Sequence, residues 1–247
     1  MEKNAKRIIV LCVSTLSLLA CGKTSEPSQT QAIFGEDDQV AAAFEKVYPW
    51  STIGFLDPSG CTGTLVAPDL VLTAAHCVFD NDGNLEADEF TFYLGFHAGQ
   101  YVDKAKVTRV RAGSRDTINE AIEDWATLKL ERELQVGNQP APYLPVSSIA
   151  PDRVTRELPI AFAGYPQSER YLMIQQGGCT VYPDPNRSFF AHDCDSEPGH
   201  SGAPLLARTR NGYSIIGIHV LGINGSRDRF SLPDANLAVP TYEVFEQ

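Results

Sequence analysis

Apolar and polar positions alternate with a period of two along most of this chain. Residues 50–56 and 60–72 alternate around an Asp57-Pro58-Ser59-Gly60 turn, and residues 90–96 and 101–111 do the same. A period of two sends successive side chains to opposite faces, which predicts half-buried strands. Asp124-Trp125-Ala126-Thr127-Leu128-Lys129-Leu130 reads as another strand. Ile160 to Pro166 opens a second set, and Tyr213 to Gly222 continues it. Between the two sets, residues 135–159 carry Pro140, Pro142, Pro145, Pro151 and Pro159. Such a stretch predicts a connection between two halves. Pro240 to Gln247 predicts a short terminal helix. No repeat of 20–50 residues is present. The expectation is an all-β protein.

The first residues break this pattern. Lys3, Lys6 and Arg7 precede an apolar run from Ile8 to Ala20. The run is too short for a spanning helix and predicts a signal peptide over residues 1–20. Leu18-Leu19-Ala20-Cys21 resembles a bacterial lipobox, which implies cleavage before Cys21 and a lipid on its sulfur. A plain secretory peptide with a chance cysteine is the alternative. Gly22, where inner-membrane lipoproteins carry Asp, implies the outer membrane. The expected location is thus outer-membrane lipoprotein, periplasmic or secreted. Residues 21–32 are polar and aperiodic, a tether or pro-segment. The folded part is expected over 33–247. Its formal charge is acidic, −11 for all 247 residues and more negative without the basic leader. This excludes nucleic acid and anionic membrane as partners, so membrane contact is expected only through Cys21.

Candidate chemistry centres on Asp195-Ser196-Glu197-Pro198-Gly199-His200-Ser201-Gly202-Ala203-Pro204. Ser201 between glycines predicts a tight turn with N–H groups converging on one spot, as a serine nucleophile requires. Alone, an ordinary Gly-Ser turn reads the same. Thr73-Ala74-Ala75-His76-Cys77 adds a base, and Asp124 heads an apolar strand that would bury its carboxylate behind that base. In the order His76, Asp124, Ser201, these motifs resemble the chymotrypsin-type serine proteases over about residues 33–247. That resemblance implies two packed six-stranded antiparallel barrels, over about 33–138 and 156–247. It also implies acyl transfer by Ser201, with His76 as general base, Asp124 as its orienter, and the N–H groups of Gly199 and Ser201 as oxyanion hole. The Gly164-Tyr165-Pro166 sequence resembles the glutamyl-endopeptidase branch. Substrates would be proteins or peptides, and the chain is expected to act as a monomer.

Four cysteines remain beyond the leader, with Cys12 and Cys21 inside or next to it. Neighbouring pairs Cys61–Cys77 and Cys179–Cys194 are expected as disulfides of an exported protein; free buried thiols are the alternative, and the absence of a C-x-x-C pair argues against zinc. The acidic stretch Asp80 to Glu89 does not fit an EF-hand and reads as a solvated hairpin rather than a calcium loop. No metal and no cofactor are expected. Ile33-Phe34-Gly35-Glu36 resembles the start of mature proteases of this type, implying cleavage before Ile33. Their activation uses an Asp just before the nucleophile; this chain has His200 there, as the glutamyl branch also lacks that Asp.

The pocket residues carry conflicting signals. Asp195, six before Ser201, matches the selector for Arg or Lys in trypsin-like enzymes. His219 matches the position where glutamyl endopeptidases bind an acidic side chain. Ser196 lies beside Asp195. A mutually satisfied Asp195–His219 pair would leave a neutral pocket. The acidic surface steers basic substrates and tilts the expectation toward Arg or Lys. The rival reading from another class is a catalytically silent binding protein of the same fold, or a lipid-anchored adhesion domain.

Overall fold

A computed structural model of the protein describes residues 31–42, 47–169, 172–184, 188–223 and 229–245. The expected signal peptide, Cys21 and most of the tether lie outside the described residues. Twelve strands form the frame. The first six are β1 (Ile53–Asp57), β2 (Cys61–Ala67), β3 (Leu70–Thr73), β4 (Thr91–Leu94), β5 (Asp103–Ala112) and β6 (Ala126–Leu130). They close into an antiparallel barrel in the order β1-β2-β3-β6-β5-β4. Alternation puts Leu56, Leu65, Leu72, Phe92, Leu94 and Leu128 inside. Gly54 and Gly63 leave room for the Phe92 ring, which a Cβ at Gly63 would approach to 3.1 Å.

The second six are β7 (Leu158–Gly164), β8 (Ile174–Tyr182), β9 (Phe190–His192), β10 (Pro204–Thr209), β11 (Gly212–Leu221) and β12 (Asn236–Pro240). They run β8-β7-β10-β11-β12-β9, and β9 pairs back onto β8 to close the second barrel. Ile160, Phe162, Val181, Phe190, Leu205 and Ile216 fill it. A two-residue strand, Val40–Ala41, adds to the outside of β8.

Three local differences from the sequence pattern have simple causes. The run 60–72 is two strands, because Pro68 and Asp69 reverse the chain and Ala67 pairs with Leu70; proline has no N–H to continue a ladder. Residues Trp50–Thr52 form a 3-10 turn ahead of β1. The terminal helix is one turn, Tyr242–Phe245. The proline-rich connection joins both barrels: Leu144 N–H donates to Leu65 O, and Ile215 N–H donates to Pro145 O, both at 2.9 Å. One apolar cluster runs from Leu65 and Trp125 in the first barrel to Leu206, Ile215 and Val239 in the second.

Candidate active site

The candidate base, His76, and its carboxylate come from adjacent strand ends. His76 sits in the 3-10 turn Ala75–Cys77 that follows β3, and Asp124 immediately precedes the strand beside it. Thr73 pairs with Ala126, which brings the two turns together. The Cys61–Cys77 disulfide then ties the His76 turn to the start of β2. His76 Nδ1 lies 2.7 Å from Asp124 Oδ2, and Asp124 Oδ1 accepts the backbone N–H of His76 at 2.9 Å. One residue therefore engages both carboxylate oxygens. The ionised carboxylate is an acceptor only, so it draws the ring proton to Nδ1 and leaves the Nε2 lone pair to act as base. The Asp124 side chain is 7% exposed and that of His76 31%, so the base reaches solvent while its orienter does not.

Ser201 lies on the loop entering β10, and a set of hydrogen bonds fixes that loop. Thr62 N–H donates to Ser201 O at 2.9 Å, and Gly202 N–H donates to His219 O at 2.8 Å. Gly202 has φ +80°, and a Cβ there would collide with Thr62 and Thr73. That close seat puts Ser201 against the strand leading into His76. Gly199 has φ +100° and backs onto Tyr165 O.

Peptide planarity sets the direction of the two candidate oxyanion donors, the N–H groups of Gly199 and Ser201. Pro198 O accepts Gln167 N–H at 2.8 Å, which turns the Gly199 N–H the opposite way. His200 O accepts Ala203 N–H at 2.8 Å, which does the same for the Ser201 N–H. Among the described residues, neither N–H has a backbone acceptor. Thr62 Oγ1 adds a clamp: it donates to Gly199 O at 2.8 Å and accepts Tyr165 N–H at 2.9 Å. Thr62 is fully buried. Sequence reasoning missed it and Gln167; the available signal was a polar residue at an inward strand position.

His200 occupies the place where the resemblance implies an activating Asp. It is buried, and burial pushes its pKa down to about 3, so it is neutral. Its Nδ1 accepts Glu197 N–H at 3.1 Å, and its backbone N–H donates to Glu197 O at 3.0 Å. An uncharged side chain thus holds the turn that an ion pair holds elsewhere. The expected cleavage before Ile33 would remove Ala32, which is fully buried and exchanges two backbone hydrogen bonds with Ser196 at 2.7 and 2.9 Å.

A cavity of about 280 Å³ is lined by Ser196, Glu197, Pro198, Ser201, His219 and the segment Val220–Gly222; the Glu197 carboxylate accepts Ser168 Oγ–H at 2.6 Å. Asp195 is not among the residues that line this cavity. The Asp195 carboxylate accepts Phe34 N–H at 2.8 Å and faces Gln176 Nε2 at 3.4 Å. Burial, with Asp38 and Asp37 nearby, pushes its pKa up to about 6. A chain segment some 160 residues upstream has taken the group. The two residues do not satisfy each other: His219 Nδ1 instead meets His192 Nε2 at 3.1 Å.

That histidine pair has a defined proton order. Cys194 N–H donates to His192 Nδ1 at 3.2 Å, so neutral His192 carries its proton on Nε2 and donates it to His219 Nδ1. His219 must then carry its own proton on Nε2. Burial holds both below the usual histidine range, His192 at about 3. His219, one of the residues lining the cavity, is therefore neutral and carries its proton on Nε2.

Both expected disulfides are present, Cys179–Cys194 bracing the strands that lead into the Ser201 loop. The Cys61, Cys77 and His76 atoms lie close enough to hold a metal, but the two sulfurs are bonded to each other. In the acidic hairpin, Asp80 Oδ1 accepts the N–H groups of Asp82 and Asn84 at 2.9 and 2.8 Å, so this carboxylate closes its own turn.

A trypsin-like peptidase domain model matches residues 61–218. The chain belongs to the trypsin-like peptidase family. It is 24% identical over 210 residues to a glutamyl endopeptidase of Bacillus licheniformis, covering 81% of this chain and 64% of the relative. It is 27% identical over 220 residues to serine protease 23 of Rattus norvegicus, covering 76% and 53%. The chain thus spans about half to two thirds of the length of these relatives. A solved Glu endopeptidase in complex with MPD shares the fold, with a TM-score of 0.69 at 23% identity over 86% of this chain and 96% of that one.

Proposed function

We propose that this chain is a serine endopeptidase working through an acyl-enzyme intermediate. The observation that carries the reading is the His76–Asp124 pair, in which both carboxylate oxygens are engaged by one residue; it is supported by a Ser201 loop whose Gly199 and Ser201 N–H groups have no backbone acceptor among the described residues. Ser201 Oγ attacks the scissile carbonyl while His76 Nε2 takes its proton. Asp124 orients the ring and stabilises its charged form. The N–H groups of Gly199 and Ser201 hold the oxyanion, each worth about 3 kcal/mol in comparable sites. His76 then protonates the leaving amine, and water, activated by the same base, hydrolyses the ester.

The pocket accepts an acidic or neutral polar side chain before the scissile bond. Its support is the N–H donor of His219 with Ser196 beside it, the commitment of Asp195 elsewhere, and the relative named a glutamyl endopeptidase. This reverses the tilt toward Arg or Lys that surface charge suggested. Export, with a lipid on Cys21, remains part of the proposal; two disulfides fit an oxidising compartment. A peptide library varying the residue before the scissile bond, with Ser201→Ala as control, tests the reading. Cutting after Glu by the wild type alone is expected. Cutting after Lys or Arg would overturn the pocket assignment, and equal cutting by the Ser201→Ala variant would overturn the mechanism.

A further inference from the structure

The specificity cavity is not the only one linked to the nucleophile loop. A second, of about 200 Å³, lies between the β1–β2 turn and the segment Tyr165–Gln167, which is hydrogen-bonded to Pro198 of that loop. Its walls are Phe55 and Pro58 on one side and Tyr165 and Pro166 on the other, with Asp57 and Gln167 among its lining. The apolar wall is rigid. Phe55 stacks on Phe96 at 5.1 Å between ring centroids and meets Tyr165 edge-on at 5.8 Å.

The position of this cavity relative to the proposed reaction follows from one hydrogen bond and one covalent link. Gln167 N–H holds Pro198 O, the same peptide unit that aims the Gly199 oxyanion donor. Gly60, also in the lining, precedes Cys61, whose disulfide holds the His76 turn. A peptide crossing Ser201 places its acyl side in the cavity beside His219. Its leaving side must exit past His76, which protonates the departing amine. An extended chain advances about 3.4 Å per residue, so a residue shortly after the scissile bond comes over the second cavity.

We propose that this cavity is a leaving-side subsite for a long side chain with a cationic tip, Lys or Arg. The inference rests on the peptidase reading above. The aliphatic stem packs on Phe55, Pro58 and Pro166, as such stems do on apolar surface, and the tip meets Asp57. Asp57 is exposed at the end of β1 and has no ion-pair partner among the described residues. The surface is acidic beyond it: the groove continues over Pro58 and Ser59 to Glu86. The two flanks then select opposite charges, an acidic or polar residue before the bond and a basic one after it.

The test uses the full exported protein and quenched peptides with a fixed acyl side, varied over three positions after the scissile bond. A p-nitroanilide with the same acyl side serves as a substrate with no residues there. At one position, kcat/KM for Lys or Arg is expected to exceed that for Glu by about fivefold, the scale of a half-exposed ion pair. Asp57→Asn brings the ratio close to one, and Asp57→Lys inverts it. A flat profile with normal anilide turnover, or a preference that survives Asp57→Asn, overturns this inference and leaves the peptidase reading standing. A folded wild type that turns over neither substrate overturns both.

Discussion

The two barrels each carry buried or half-buried histidines, and they treat them in opposite ways. In the first barrel, His76 keeps a third of its side chain in contact with solvent and has a carboxylate on Nδ1. In the second, His192, His200 and His219 pack around Phe162 with ring centroids 5.1 to 5.9 Å away, fully or nearly fully buried. No carboxylate is hydrogen-bonded to these three rings among the described residues. Their partners are the N–H groups of Glu197 and Cys194 and one another. The lesson is that the surroundings, not the residue type, assign the role. A carboxylate and solvent make a base that can accept and hold a proton. Burial without a counter-charge makes a neutral fixture with a defined donor and acceptor edge.

The largest effect that would sharpen this contrast is expected at Asp124. Asp124→Asn replaces an acceptor with a donor and frees the His76 ring to take the wrong tautomer. A fall in kcat of about 10⁴ at neutral pH is expected, as in the comparable triad. Unchanged kcat would put His76 among the fixtures. An intermediate effect is expected at Thr62→Val, which leaves Gly199 O and Tyr165 N–H unpaired in the interior. Buried groups left so cost about 1–3 kcal/mol. If the clamp positions the oxyanion donors, kcat falls about tenfold or more with KM little changed; a loss confined to thermal stability would reduce Thr62 to a structural role.

The smallest effect concerns Asp195, the acidic counterpart of the buried histidines. Its pKa is raised to about 6 from the usual 3.8, so the folded state binds this proton more tightly than the unfolded chain. Its contribution to stability therefore declines as pH rises from about 4 to 6 and stays low above that. The histidines act in the reverse sense: with pKa values pushed down, they lose stability as pH falls below their ordinary range near 6.5. Asp195→Asn retains an acceptor for Phe34 N–H and removes the charge. The melting temperature of the variant relative to wild type is expected to be higher at pH 7 than at pH 4.5. An equal difference at both pH values would contradict the assignment.

The His76–Asp124 pair and the glycine turn at Ser201 were legible because each proposed triad member sits in a contiguous motif that sets its local geometry. His76 needs its own turn and Asp124 its own strand, and both are written within a few residues. The alternation gave the strands, and the prolines of residues 135–159 marked the division between barrels. The pocket was not legible in the same way. Counting back from Ser201 placed Asp195 in it, but the direction of that carboxylate depends on Phe34 and Gln176, remote in sequence. Likewise Thr62 looks like any strand threonine until β2 is laid against Gly199. The order of protons from Cys194 through His192 to His219 depends on β9 and β11 meeting across the barrel, which no spacing reveals.

The most direct test of the central claim is reaction of the folded protein with a fluorophosphonate, followed by peptide mapping. A single adduct on Ser201 is expected, formed rapidly in the wild type and slowed by orders of magnitude in His76→Ala, while His192→Ala leaves Ser201 the modified residue. A folded wild type that takes no label, or a label on another serine, would contradict the account and leave the chain a binding protein on a peptidase frame.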